Sequence, residues 1–171
     1  MAVLTSYNKG RRTRGERIAG DGVEQVRRLL TAECVVAPGG LRVRDTATGV
    51  TASPGCCFGL ENWRDWLGLV EGGVPWLGHD SEPRAEHVGA IVRLWPDAAR
   101  QEGLPIDIPR AELRELLGSV RDDLAGFLKS VERWASGGFA PVTAALVARL
   151  DESLDVSAPL DWSPRHSSGR P

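Results

Sequence analysis

The stretch "PRAELRELLGSVRDDLAGFLKSVERWAS", residues 109–136, carries the strongest periodic signal in the chain. At about 100° per residue, Leu113, Leu116, Leu117, Val120, Leu124, Phe127, Leu128, Val131 and Trp134 fall on one stripe. Arg114, Glu115, Arg121, Asp122, Lys129, Glu132 and Arg133 fall on the other side. Pro109 suits the first turn of a helix, where its missing N–H is no loss. The glycine pair at 137–138 ends the pattern. A helix of this length spans about 40 Å, so its apolar stripe needs a broad apolar surface to lie on. Gly118 and Gly126 sit on the polar side, and each costs about 1 kcal/mol relative to Ala. A bend or a close-passing backbone would account for them.

Working outward, short strand signals precede this helix. "CVVA" at 34–37, "LRVRD" at 41–45 and "VTAS" at 50–53 are separated by "PGG" and "TATG", which reads as a three-stranded meander. "AIVRLW" at 90–95 and "LPIDI" at 104–108 add two strands. Between them, "VPWLGHDSEPRAEH" at 74–87 reads as a loop. Residues 21–32 form a short helix with Val23, Val26, Leu29 and Leu30 at helical spacing. Residues 60–71 form another, with Leu60, Trp63, Trp66, Leu67 and Val70 within an arc of about 120°. Residues 141–150 form a last helix. Strands come early and the longest helices late. That order predicts an α+β fold, with an antiparallel sheet of about five short strands covered on one face by helices and dominated by the long amphipathic helix near 109–136. The domain is expected over 21–154, between a flexible basic N-terminal arm at 1–20 and a loose C-terminal tail at 155–171.

The composition agrees with one globular domain: 171 residues, of which 42% are hydrophobic and 26% charged. The net charge of −2 is unevenly spread, because residues 1–28 hold seven Lys/Arg and only three Asp/Glu. The remaining body is mildly acidic, which does not suit a general nucleic-acid binder. Contact with nucleic acid is expected only through Arg11, Arg12, Arg14 and Arg17. No apolar run approaches the roughly 18 residues of a membrane span. There is no apolar leader, and three cysteines make no disulfide framework. The expected setting is cytoplasmic, with reduced thiols.

"ASPGCCFGLENWRDWLG", residues 52–68, is the densest run of unusual residues. Gly55-Cys56-Cys57-Phe58-Gly59 has the spacing G-x-C-x-G. Between a strand and a helix, it resembles the nucleophile elbow of the α/β-hydrolases, with Cys57 in the nucleophile's position. A thiol before a helix N-terminus is favoured as thiolate. The resemblance implies a thiol-dependent hydrolase or transferase, with His79 or His87 as base and Asp80 as orienter. It covers five residues, however, and that fold needs a larger parallel sheet with its histidine further along the chain. The simpler reading makes both cysteines small apolar residues in a turn, one facing the core and the other shielded by Trp63 or Phe58. Cys56, Cys57, His79, Asp80, Glu82, Glu86 and His87 offer ligand atoms without a recognised zinc spacing. No metal and no cofactor are expected, and no nucleotide-binding glycine motif is present.

Six tryptophans stand against one tyrosine and three phenylalanines. Periodicity assigns Trp63, Trp95 and Trp134 to the core and leaves Trp66, Trp76 and Trp162 less secure. Glu61, Asp65, Glu71, Asp80, Glu82 and Glu86 share one segment with Trp66 and Trp76. Tryptophan is enriched at interaction hot spots, and acidic groups steer basic partners. The expected contact surface therefore comprises Phe58, Glu61, Asp65, Trp66, Trp76, Asp80, Glu82 and Glu86, facing another protein of basic character. The function expected is that of a small cytoplasmic protein-binding module acting stoichiometrically, such as an immunity-type toxin neutraliser or an accessory subunit of an assembly.

Overall fold

The computed structural model describes residues 1–7, 22–80, 82–97 and 103–162. Arg11, Arg12, Arg14 and Arg17 lie outside the described residues. The fold is α+β. It has two antiparallel sheets of three strands each, in place of the single sheet of about five strands expected. The first sheet joins β1 (Ala2–Tyr7), β2 (Gly40–Asp45) and β3 (Thr51–Ala52) in that order. The second joins β4 (Arg84–Val88), β5 (Ile91–Trp95) and β6 (Ile106–Pro109). The helices are α1 (Gly22–Thr31), a one-turn α2 (Leu67–Val70), α3 (Arg110–Gly138) and α4 (Thr143–Leu154).

Two strands differ from the sequence reading. Ala2–Tyr7, placed there in a flexible arm, pairs with β2 from Ala2 opposite Asp45 to Tyr7 opposite Gly40. Ala2 and Leu4 point inward, so the outer strand of this sheet comes from the start of the chain and not from Cys34–Ala37. The latter run has Cys34 and Val36 exposed, and the N–H and carbonyl of Ala37 are bonded to the Glu61 carboxylate and the Leu60 N–H in place of a neighbouring strand. Residues 84–88 form β4 although "RAEHV" buries only Ala85. A two-residue turn, Gly89–Ala90, sets this hairpin by pairing Val88 with Ile91. Gly89 takes the positive φ that such turns favour.

Burial alternates with period two in β2, β5 and β6. Leu41 and Val43 of β2, Val92 and Leu94 of β5, and Ile106 and Ile108 of β6 are buried. On the outer face, Arg93 and Asp107 lie opposite each other and make two bonds, of 2.7 and 2.8 Å. Leu113, Leu117, Val120, Leu124 and Leu128 of α3 belong to the same buried cluster as the inner residues of both sheets. The helix touches β1 and β6, one strand of each sheet.

The second half of α3 departs from its stripe. Trp134 is 57% exposed and Phe127 46%. The inward position near the end is the small Ala135, which joins Val26 of α1 and Leu146 of α4 in a second buried cluster. Three helices meet there, and a bulky residue does not fit at the crossing. Trp134 instead lies against Phe139, with ring centroids 4.9 Å apart. Gly118 and Gly126 have open space where a Cβ would stand, so no backbone passes close to either.

Residues 60–66 wind as a 3-10 helix and only 67–70 as an α-helix. Trp63, Trp66, Leu67 and Val70 nonetheless face inward as the arc predicted. Residues 155–162, read as part of a loose tail, are packed. Val156 is buried, and Leu160 and Trp162 rest on the core. Asp155 adopts a left-handed conformation at the end of α4, with φ 50°, and turns the chain back. The Arg64 side chain then donates to the carbonyls of Asp155, Ala158 and Pro159. Among the described residues, no helix is long and apolar enough to cross a membrane.

Candidate functional site

The region around the two cysteines is built on a backbone crossing. Gly55 N–H donates to the Leu77 carbonyl, and Cys56 N–H to the His79 carbonyl, both at 2.8 Å. A Cβ on Gly55 would overlap the His79 backbone, and one on Gly78 would overlap Gly55. Gly78 also has φ +100°, a conformation that glycine alone adopts readily. Two glycines thus let residues 53–58 and 74–80 lie against each other.

Just beyond this crossing the chain turns. Phe58 N–H reaches the Gly55 carbonyl at 3.3 Å, which makes Cys56 and Cys57 the two central residues. Both are exposed, as is Cys34. This corrects the expectation that one thiol faces the core: Pro54 and Phe58, on either side of the turn, are the buried residues. The central residues of a turn project outward. The two Sγ atoms stand 3.4 Å apart, and Cys56 Sγ lies 3.8 Å from Asp80 Oδ2.

The elbow resemblance does not extend to a catalytic set. His79 packs edge-on against Trp76, with centroids 5.0 Å apart. His87 Nε2 is bonded to the Gly73 carbonyl at 2.8 Å, and its Nδ1 is buried without a partner among the described residues. No hydrogen bond joins Cys57 to an imidazole among the described residues. The segment that follows begins as a 3-10 helix, and its cap residue Gly59 makes no side-chain bond. Among the described residues, no group of three or more His, Cys, Asp or Glu side chains is placed to hold a metal ion.

The expected contact surface is only partly a surface. Phe58 and Trp66 are each 2% exposed and belong to the core; both extend the apolar arc of the segment. Glu61 is turned inward to accept the Ala37 N–H at 2.9 Å. Glu86 accepts Trp95 Nε1 at 3.3 Å and lies 3.7 Å from Arg84. Asp65, Trp76, Asp80 and Glu82 remain exposed. Trp76 is 54% exposed and its neighbour Val74 61%.

Trp76 stands between two grooves. One, of about 410 Å³, is lined by Asp65, Glu71 and Asp161 together with Arg64 and Trp76. The other, of about 360 Å³, has Glu82 and Arg84 along its wall with Trp76 and Pro83. The first groove carries three carboxylates and one guanidinium, and that guanidinium is already bonded to three carbonyls and to the Asp155 carboxylate at 3.0 Å. Glu71 Oε1 is buried and has no hydrogen-bond partner among the described residues. A buried acceptor in that state carries an uncompensated desolvation cost.

Glu71 was visible in the sequence as an acid within the right segment. Asp161 was not, because it reaches the groove from the packed C-terminal strap. The nearest signal was Trp162, an aromatic out of place in a loose tail. No known protein family, no curated protein and no solved structure matches this chain.

Proposed function

We propose that this chain is a protein-binding module that acts stoichiometrically, in the manner of an immunity-type neutraliser or an accessory subunit, and that it engages a basic partner through Trp76 and the acidic groove beside it. The observation that carries this reading is the exposed indole of Trp76, set on a backbone held by the Gly55–Gly78 crossing and flanked by Asp65, Glu71 and Asp161. A large aromatic already fixed in place loses little freedom on binding, and its burial is favourable. An arginine or lysine from the partner would meet the exposed carboxylates of Asp65 and Asp161, which also speed encounter.

The test is quantitative capture with the wild-type chain, a Trp76→Ala variant and an Asp65→Lys variant, at low and high salt. A basic protein retained in equimolar amount by wild type, and lost with either variant and at high salt, supports the reading. A bound set unchanged by both variants refutes it. The competing thiol-hydrolase reading draws on the exposure of Cys57. It predicts a turnover abolished by Cys57→Ser and untouched by Trp76→Ala.

A further inference from the structure

We infer that Cys56 and Cys57 form a chelating dithiol site for a trivalent, thiophilic metalloid of the arsenic or antimony type. Both thiols are exposed, and their sulfurs stand 3.4 Å apart. Two sulfurs bonded at about 2.3 Å to one centre lie about 3.3 Å apart for a bond angle near 90°, and about 3.8 Å apart for a tetrahedral one. The observed separation lies toward the pyramidal end, the geometry of trivalent arsenic or antimony. A direct sulfur–sulfur bond suits the pair less well. Neighbouring Cα atoms are about 3.8 Å apart, short of the roughly 4.4 Å at which disulfides begin. Bridging through one additional atom relieves that shortfall.

The surroundings hold the pair in place. Cys56 N–H is bonded to the His79 carbonyl and Gly55 N–H to the Leu77 carbonyl, and the Phe58 ring is buried behind the turn. Asp80 places a carboxylate 3.8 Å from Cys56 Sγ. That charge disfavours an oxyanion such as arsenate and admits a neutral trivalent species. With phenylarsine oxide as the probe, two As–S bonds form and the arsenic–oxygen double bond breaks. The oxygen leaves as water with the two thiol protons. Arsenic stays trivalent and no electrons are transferred.

The experiment titrates the reduced, folded chain with phenylarsine oxide and reads intact mass and free thiols. The expected product carries one phenylarsenic group, has lost two thiols, and still has Cys34 open to alkylation. It survives excess glutathione and is released by dithiothreitol. Cys56→Ser and Cys57→Ser each weaken that resistance by about 100-fold or more, the scale of a lost second attachment, whereas Cys34→Ser leaves it unchanged. Any adjacent pair of thiols captures some arsenical, so the deciding comparison is between folded and urea-unfolded chain. A preorganised turn binds at least about tenfold more tightly when folded. Equal affinity in the two states, an adduct removed by glutathione, or a resistant adduct on either single-serine variant would overturn the proposal.

Discussion

Trp63 and Trp76 share a residue type and a stretch of chain, and they are used in opposite ways. Trp63 is 0% exposed and donates its Nε1–H to the Leu154 carbonyl at 2.6 Å. Trp76 is 54% exposed, between two grooves. The difference extends to their neighbours. Residues 63–70 turn Trp63, Trp66, Leu67, Leu69 and Val70 inward, and Arg64 is bound to three carbonyls. Residues 74–80 secure their backbone at Leu77 and His79 while Val74, Trp76, His79 and Asp80 face solvent. The first region holds the molecule together. The second is held by it and has side chains to spare.

The widest separation between the two regions comes from removing the two indoles. Trp63→Ala leaves a large cavity and an unpartnered Leu154 carbonyl, and is expected to destabilise by about 3–5 kcal/mol in urea unfolding. Trp76→Ala should change stability by no more than about 0.5 kcal/mol. Similar losses for the two would erase the distinction. Arg64→Ala comes next, at about 2–3 kcal/mol, since bonds to a charged group are among the stronger ones. Limited proteolysis should then cut within residues 155–162. Arg64→Lys should restore little, because an ammonium cannot reproduce the planar fork. Intact resistance to protease in Arg64→Ala would show that Val156, Leu160 and Trp162 hold the strap unaided.

Smaller effects belong to outward positions on the rest of the fold. Gly126→Ala should stabilise by about 1 kcal/mol, since a Cβ there meets only open space. A loss in thermal unfolding would mean that the glycine is needed for the helix's path. The smallest effect concerns Asp107. The Arg93 guanidinium beside it holds its carboxyl below the usual range. A depressed carboxylate contributes stability that is fully present above its unfolded value, near pH 3.9, and is lost as pH falls through the folded value. Asp107→Asn should therefore flatten the acid limb of the stability curve slightly, by less than the Gly126→Ala change at neutral pH, because the pair is exposed and screened.

The long helix was legible because its period persists over many turns, and β2, β5 and β6 because alternation places apolar residues on one side. β1 was not, since Ala2 opposite Asp45 is a pairing between remote parts of the chain and local pattern carries no trace of it. β4 was hidden by its charges, and only the glycine of its turn marked it. The same apolar arc serves a 3-10 or an α-helix, so burial in residues 60–70 was readable while the winding was not. At the candidate site, Trp76 and Asp65 were legible as polar-segment anomalies. Trp66 was misplaced because a position at the rim of an arc still points inward when the partner surface is wide. Asp161 reaches the groove from a strap bonded to Arg64, far off in sequence. The cysteines were misassigned because residue type suggested burial and the turn positions decided otherwise.

The clasp between residues 63–64 and 154–159 also orders events in time. As the chain leaves the ribosome, the indole of Trp63 and the fork of Arg64 emerge long before the carbonyls that receive them. The bonds from Trp63 and Arg64 therefore cannot form until α4 and the turn at Asp155 have been synthesised. Until then, a nascent chain presents its most deeply interred aromatic to whatever chaperone or neighbouring polypeptide is at hand.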